Sequence, residues 1–139
     1  MTTIAYKDGV IACDSQVTAG DVICTVSRNK IRRRKGLVLV ACGSEHLVEQ
    51  VFELWPDVRV DGDDWSAYAV DGDGLWECGS DEGVVWKLKV RHNEHSAMGS
   101  GGAYALGAMD VGATAVEAVK VAAGRDVATG GRVRKFRVY

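Results

Sequence analysis

The order of patterns in this sequence predicts an α+β fold, with sheet and helix layers rather than alternating βαβ units. Three observations carry that prediction. Short apolar runs of strand length open the chain and recur in its middle. Helical spacing is confined to one stretch near residue 50 and another from 103 to 123. Finally, 17 glycines against a single proline suit hairpins closed by tight turns. With 139 residues the chain makes one domain, 1–139, large enough for a two-layer core.

Residues 3–13 read as two strands joined at Lys7-Asp8-Gly9, where Gly supplies the positive φ a hairpin needs. Val10-Ile11-Ala12-Cys13 is apolar on both faces, and a polar turn follows over 14–20. Residues 22–35 carry Val22-Ile23-Cys24 and a basic run from Arg28 to Lys35, and 37–42 is a second apolar strand. From Glu45 to Trp55, apolar residues fall near helical spacing, with Ser44 as N-cap and Pro56 as terminator. Strands are predicted at 65–70, 75–78 and 84–90, around a hairpin turn at Asp71-Gly72-Asp73-Gly74. That turn is no calcium loop, because Leu75 occupies the third ligand position and no Glu closes it. The Gly-rich 97–102 precedes a helix over 103–110, with a second helix over 113–123 and a last strand over 133–139. The Gly-rich stretch lacks both the Lys-Ser/Thr of a phosphate loop and a complete dinucleotide fingerprint.

A net charge of −2 argues against a nucleic-acid binder working through bulk electrostatics. No apolar run reaches membrane-span length, and the N-terminus lacks a signal-peptide layout. Cys13, Cys24, Cys42 and Cys78 are scattered without a CxxC pair, so buried free thiols in a reducing cytoplasm are expected. His92 and His95 form a lone HxxH without further ligands nearby and read as a surface loop.

Chemistry is predicted at the start of the chain. Thr2 becomes the first residue if Met1 is removed, and its hydroxyl and α-amine then make a nucleophile carrying its own base. Around this start, Thr2-Thr3-Ile4-Ala5, the run from Gly9 through Asp14 and Gln16 to Gly20, Ala41-Cys42-Gly43-Ser44, Met98-Gly99-Ser100-Gly101-Gly102 and Arg125-Asp126-Val127-Ala128-Thr129-Gly130-Gly131 follow in order, with Lys30 sixteen positions after Asp14. In these motifs the sequence resembles the proteasome β-type subunits and, more closely, the bacterial HslV peptidase, both N-terminal-nucleophile hydrolases. The resemblance implies a four-layer αββα sandwich. The helical layer is reduced, since the first helix is short and an Asp/Gly loop after Pro56 leaves no room for a full second one. The 75–95 region is longer than the family pattern, which predicts an extended hairpin.

What the resemblance implies for chemistry is a threonine-type peptidase. Thr2 Oγ would attack a peptide carbonyl, its proton passing to the α-amine. Lys30 would hold a positive charge beside Thr2, and Asp14 would orient Lys30. Ser100, Asp126 and Thr129 would surround the amine, with Thr129 where the family usually has Ser. The Gly43 N–H would form the oxyanion hole. Read alone, without the resemblance, Asp14 and Thr18 are turn residues, Lys30 one more charge of a basic strand, Gly99–Gly102 a strand-to-helix turn capped by Ser100, and Thr129–Gly131 a plain turn.

The same resemblance places a specificity pocket at Val17, Arg28, Arg32, Ala41, Glu45 and Glu49, whose mixed charges give no readable preference for the residue before the cleaved bond. It gives the carbonyls of Ala123, Asp126 and Thr129 to a monovalent cation such as Na+, with no cofactor required. Polypeptide substrates are implied, and assembly into a homo-oligomeric ring of six or seven subunits, stacked in pairs. The missing helix belongs to the surface that would meet an AAA+ unfoldase, which sets that partnership in question. Two rivals remain open at this point: a ring scaffold that keeps Met1 and does no proteolysis, and an amidohydrolase acting on a small amide.

Overall fold

A computed structural model describes residues 2–139. Met1, whose removal the predicted chemistry requires, lies outside the described residues. Strand β1 (Thr3–Lys7) turns at Asp8-Gly9 into β2 (Val10–Cys13), and both turn residues have positive φ, 51° and 78°. A small hairpin follows, β3 (Val17–Ala19) with β4 (Val22–Thr25). Next come β5 (Ile31–Arg34), β6 (Leu37–Gly43), helix α1 (Glu45–Leu54), and strands β7 (Trp65–Asp71), β8 (Gly74–Asp81) and β9 (Val84–Lys89). The chain ends through β10 (Ser96–Gly99), α2 (Gly102–Asp110), α3 (Ala115–Ala123) and β11 (Arg134–Arg137).

Two antiparallel sheets form, one in the order β10-β1-β2-β11 and the other a meander β5-β6-β7-β8-β9. Side-chain alternation along each strand then decides the layers. Ile4 and Tyr6 of β1, and Ile11 and Cys13 of β2, face Val40, Cys42 and Tyr68 of the second sheet. Ala5 and Ala12 point the other way, against Ala105, Met109, Ala118, Val119 and Ala122 of the paired helices α2 and α3. On the far side, Leu39, Ala41, Ala67 and Ala69 of the second sheet pack on Leu47, Val48 and Val51 of α1. The result is the four-layer αββα sandwich, with α1 alone in one outer layer.

Among the described residues, no second helix joins α1 in that layer. The residue before a proline is pushed into extended backbone, and Trp55 has ψ 134° where α1 ends. Irregular chain then runs to β7, with Val58 and Val60 packed on the same core. Asp71 accepts both indole N–H groups, Trp55 Nε1 at 3.0 Å and Trp76 Nε1 at 3.1 Å, and Lys87 Nζ sits 4.9 Å from each ring. Two tryptophans and a lysine stem therefore cover sheet that a helix would otherwise cover.

Several local expectations change. Ser44 is at the N-cap of α1, but its hydroxyl makes no cap bond and donates to Asp64 Oδ2 at 3.1 Å. Ser100 does not cap α2, which begins after Gly101. Residues 17–19, expected in a polar turn, pair as a strand with β4. Cys24 is exposed, because β3–β4 stands clear of both sheets, whereas Cys13, Cys42 and Cys78 are buried. The 75–95 stretch does not project as a separate arm; β8 and β9 extend the five-stranded sheet, and β9 forms its half-exposed edge. His95 Nε2 lies 2.7 Å from Asp110 and His92 packs edge-on to Tyr139, with no metal-ligating cluster among the described residues.

Candidate active site

Thr2, immediately before β1, Asp14, immediately after β2, and Lys30, immediately before β5, come together where the two sheets meet. All three are buried: Thr2 is 7%, Asp14 1% and Lys30 9% exposed. Lys30 Nζ donates to Thr2 Oγ at 2.9 Å and to Asp14 Oδ1 at 2.7 Å. Taking such a pair out of water is costly unless the remaining lone pairs are filled. Here they are: Asp14 Oδ1 also accepts the Thr3 N–H at 3.2 Å, and Oδ2 accepts the N–H groups of Gly130 at 3.1 Å and Gln16 at 3.4 Å. Gln16 in turn donates through Nε2 to the Val127 carbonyl at 2.9 Å, tying β2 to the 126–131 loop.

A second polar group lies beside the first. Ser100 and Thr129 each donate a hydroxyl hydrogen to Asp126 Oδ2 at 2.6 Å, and the Ala128 N–H donates to Oδ1 at 3.1 Å. Burial pushes the Asp126 carboxyl up, but the donors Ser100, Thr129 and Ala128 outweigh it and hold the group below the usual carboxylate range. Thr3 Oγ contacts Thr129 Oγ at 2.7 Å, joining the start of β1 to this group.

Two glycines let main chain crowd this corner. A Cβ at Gly99, where φ is 94°, would fall 1.7 Å from the Thr2 carbonyl oxygen. One at Gly43, φ 115°, would fall 2.2 Å from the Asp64 carbonyl. The Ser44 N–H donates to that Asp64 carbonyl at 2.8 Å. Backbone N–H groups alternate in direction along an antiparallel pair, so the Gly43 N–H, one residue earlier, faces away from β7.

A cleft of about 510 Å³ opens over Thr2, lined among others by Lys30, Gly43, Val17, Ala41, Cys42 and Val48. Arg28, Arg32 and Glu45 line it too, with Glu45 Oε1 accepting from Arg32 Nη2 at 2.5 Å and from Arg28 Nη1 at 3.4 Å. Glu49 does not line the cleft; one helical turn beyond Glu45, it pairs with Arg32 on the flank. Asp64, to which sequence reasoning gave no role, also lines the cleft, as do Ser44 and Ala128, which it named in motifs but did not place in the pocket.

For a monovalent cation, the carbonyls of Ala123, Asp126 and Thr129 are oxygen donors of the right hardness. The Asp126 carbonyl already accepts the Thr129 N–H at 3.0 Å and keeps one lone pair.

No family model matches this chain, and no curated protein matches it. Solved structures do. BPH of Thiobacillus denitrificans superposes with a TM-score of 0.68 at 19% identity, over 99% of this chain and 98% of that one. The same protein in complex with epoxomicin gives 0.69 at 18% identity over the same shares. HslV of Trypanosoma brucei gives 0.66 at 20% identity, over 98% of each chain. At these identities the likeness is one of architecture. From end to end, the chain has the αββα fold of the HslV and proteasome type.

Proposed function

We propose that this protein is a threonine-type endopeptidase of the proteasome and HslV family, with Thr2 as nucleophile once Met1 has been removed. The observation that carries the reading is Lys30 Nζ, which donates at once to Thr2 Oγ and to the buried Asp14. A serviceable nucleophile needs its hydroxyl beside a charge that favours the alkoxide and a base that takes the proton. Lys30 supplies the charge. The freed α-amine, with an ordinary pKa of ~8, supplies the base near neutrality.

Thr2 Oγ attacks the carbonyl carbon while its proton moves to the α-amine. The oxyanion forms against the Gly43 N–H, which the fixed turn at Ser44–Asp64 keeps oriented before substrate arrives. The tetrahedral centre collapses, the leaving amine takes the proton back, and an ester remains on Thr2. Water attacks that ester with the same amine as base and restores the hydroxyl. Ser100, Asp126 and Thr129 hold the amine. The cleft would admit a peptide, and its apolar lining residues Val17, Ala41 and Val48, set among the paired charges of Arg28, Arg32 and Glu45, suit a side chain with apolar surface. The carbonyls of Ala123, Asp126 and Thr129 would hold a monovalent cation that braces the loop; no step runs through it.

The nucleophile has little selectivity of its own, so enclosure in a cytoplasmic homo-oligomeric ring of six or seven subunits, stacked in pairs, is part of the proposal. An AAA+ unfoldase would have to dock without the second helix of the α1 layer.

The test is intact mass of the protein made in its natural cytosol, followed by incubation with epoxomicin. A chain starting at Thr2, and an adduct lost in Thr2→Ala, support the peptidase. A chain that keeps Met1 and takes no adduct overturns it in favour of a scaffold.

A further inference from the structure

Thr3 is fully buried and lies on the face of β1 directed at α2 and α3, where its neighbour on the same face, Ala5, packs among alanines. A valine would fill the same space, so packing alone does not account for the hydroxyl. Its contact is with Thr129 Oγ at 2.7 Å, and the direction of that bond can be worked out. A hydroxyl carries one hydrogen and two lone pairs. Thr129 commits its hydrogen to Asp126 Oδ2, as Ser100 does. An ionised carboxylate has no hydrogen to return. The hydrogen in the Thr3–Thr129 contact therefore comes from Thr3.

We propose that Thr3 is a positioning residue whose hydroxyl, donating to Thr129, keeps the Thr129 hydrogen on Asp126, so that Thr129 matches Ser100 in turning its hydrogen to the carboxylate. The proposal rests on the reading of Thr2 as nucleophile and adds a requirement to it. An α-amine that is to act as base must keep its lone pair for the Thr2 hydroxyl, so the groups around it have to accept its hydrogens. With Thr129 and Ser100 both turned toward Asp126, lone pairs face outward from the carboxylate. A hydroxyl turned the other way would offer its hydrogen to the amine and occupy the base.

A second observation is independent of the hydrogen-bond direction. Gly101 has φ −95° and ψ 7°, a conformation open to any residue, so its backbone does not demand glycine. Space does: a Cβ there would fall 2.1 Å from Thr3 Oγ, 3.0 Å from Ala122 Cβ and 3.1 Å from Thr129 Oγ. The chain keeps a gap where the two hydroxyls meet.

The test compares full-length Thr3→Val and Thr3→Ser in peptide cleavage. Loss of one hydrogen bond in a charged network corresponds to roughly a tenfold fall in kcat for Thr3→Val, with KM unchanged, and Thr3→Ser should restore the rate. An unchanged kcat in Thr3→Val overturns the proposal, and so does an equal loss in Thr3→Ser, which would make the methyl group the cause. A readout that needs no activity is the exchange-protected hydroxyl proton of Thr129, followed by NMR. It should point to Asp126 and lose protection in Thr3→Val but not in Thr3→Ser; a Thr129 proton directed at Thr3 overturns the proposal. If the wild-type chain cleaves nothing, the reading of Thr2 has failed, and the NMR result still decides the role of Thr3.

Discussion

Asp14 and Lys30 are where stability and chemistry can be pulled apart. Their side chains are 1% and 8% exposed, so removing one leaves the other charged and buried. Lys30→Met should lower stability by about 3–5 kcal/mol and slow acylation by roughly 10²–10³. The double variant Asp14→Asn/Lys30→Met should regain most of the stability and none of the rate. Urea unfolding beside peptide cleavage checks both halves; a double variant as unstable as the single would mean that Asp14's backbone contacts dominate. Asp14 and Lys30 were legible in the sequence through their separation of sixteen, which matched the resemblance; locally Asp14 closes an apolar strand, but Lys30 opens a basic one, Ile31–Arg34, and reads there as one charge among several. Thr3 was not. Its importance depends on Thr129, 126 positions away, and on a gap at Gly101, and no local pattern signals either.

Among the elements, α3 shows a signal present in the sequence but unread. Thr114 and Glu117 form a full capping box, Thr114 Oγ accepting the Glu117 N–H at 3.1 Å and Glu117 Oε1 accepting the Thr114 N–H at 3.0 Å. Thr114→Ala should cost about 1 kcal/mol in thermal or chemical unfolding, and an unchanged midpoint would contradict the cap. The outer layer around α1 makes a pH-dependent prediction. Burial pushes the Asp71 carboxyl up, but the Trp55 indole, the Asp73 N–H, the Trp76 indole and the Lys87 charge together leave it below its usual value of 3.8. A depressed carboxyl contributes stability that is present above pH 3.8 and lost as pH falls through the lower folded value. Unfolding free energy should therefore fall on acidification below about pH 4, and less steeply in Asp71→Asn; identical slopes would remove Asp71 from the account. The absence of a second helix could be read from Pro56 and the Asp/Gly loop. What covers the sheet instead could not, because Trp55, Trp76 and Lys87 meet only after three strands have paired.

For the whole molecule, strand and helix order were readable because alternation and helical spacing are local. Sheet order was less so: β10 lies beside β1, with Thr3 paired to Gly99, a partner far along the chain. Layering followed from parity, since Ile4 and Tyr6 face one core and Ala5 the other. If ring assembly is part of the function, native mass spectrometry should give a six- or seven-fold oligomer or its double. A monomer at high concentration would leave the site open to bulk solvent and count against enclosure.

Asp14 accepts from residues 3, 16, 30 and 130, and Asp126, Thr129 and Gly130 all lie in the last tenth or so of the chain. The consequence concerns biosynthesis. A nascent chain that has not yet folded residues 126–130 lacks the Gly130 N–H on Asp14 and, on the proposed reading, the group that would hold the Thr2 amine. On the proposed reading, chemical competence would wait until residues 126–130 had folded against Asp14 and the start of β1, so the growing chain would be harmless to itself and its neighbours until then.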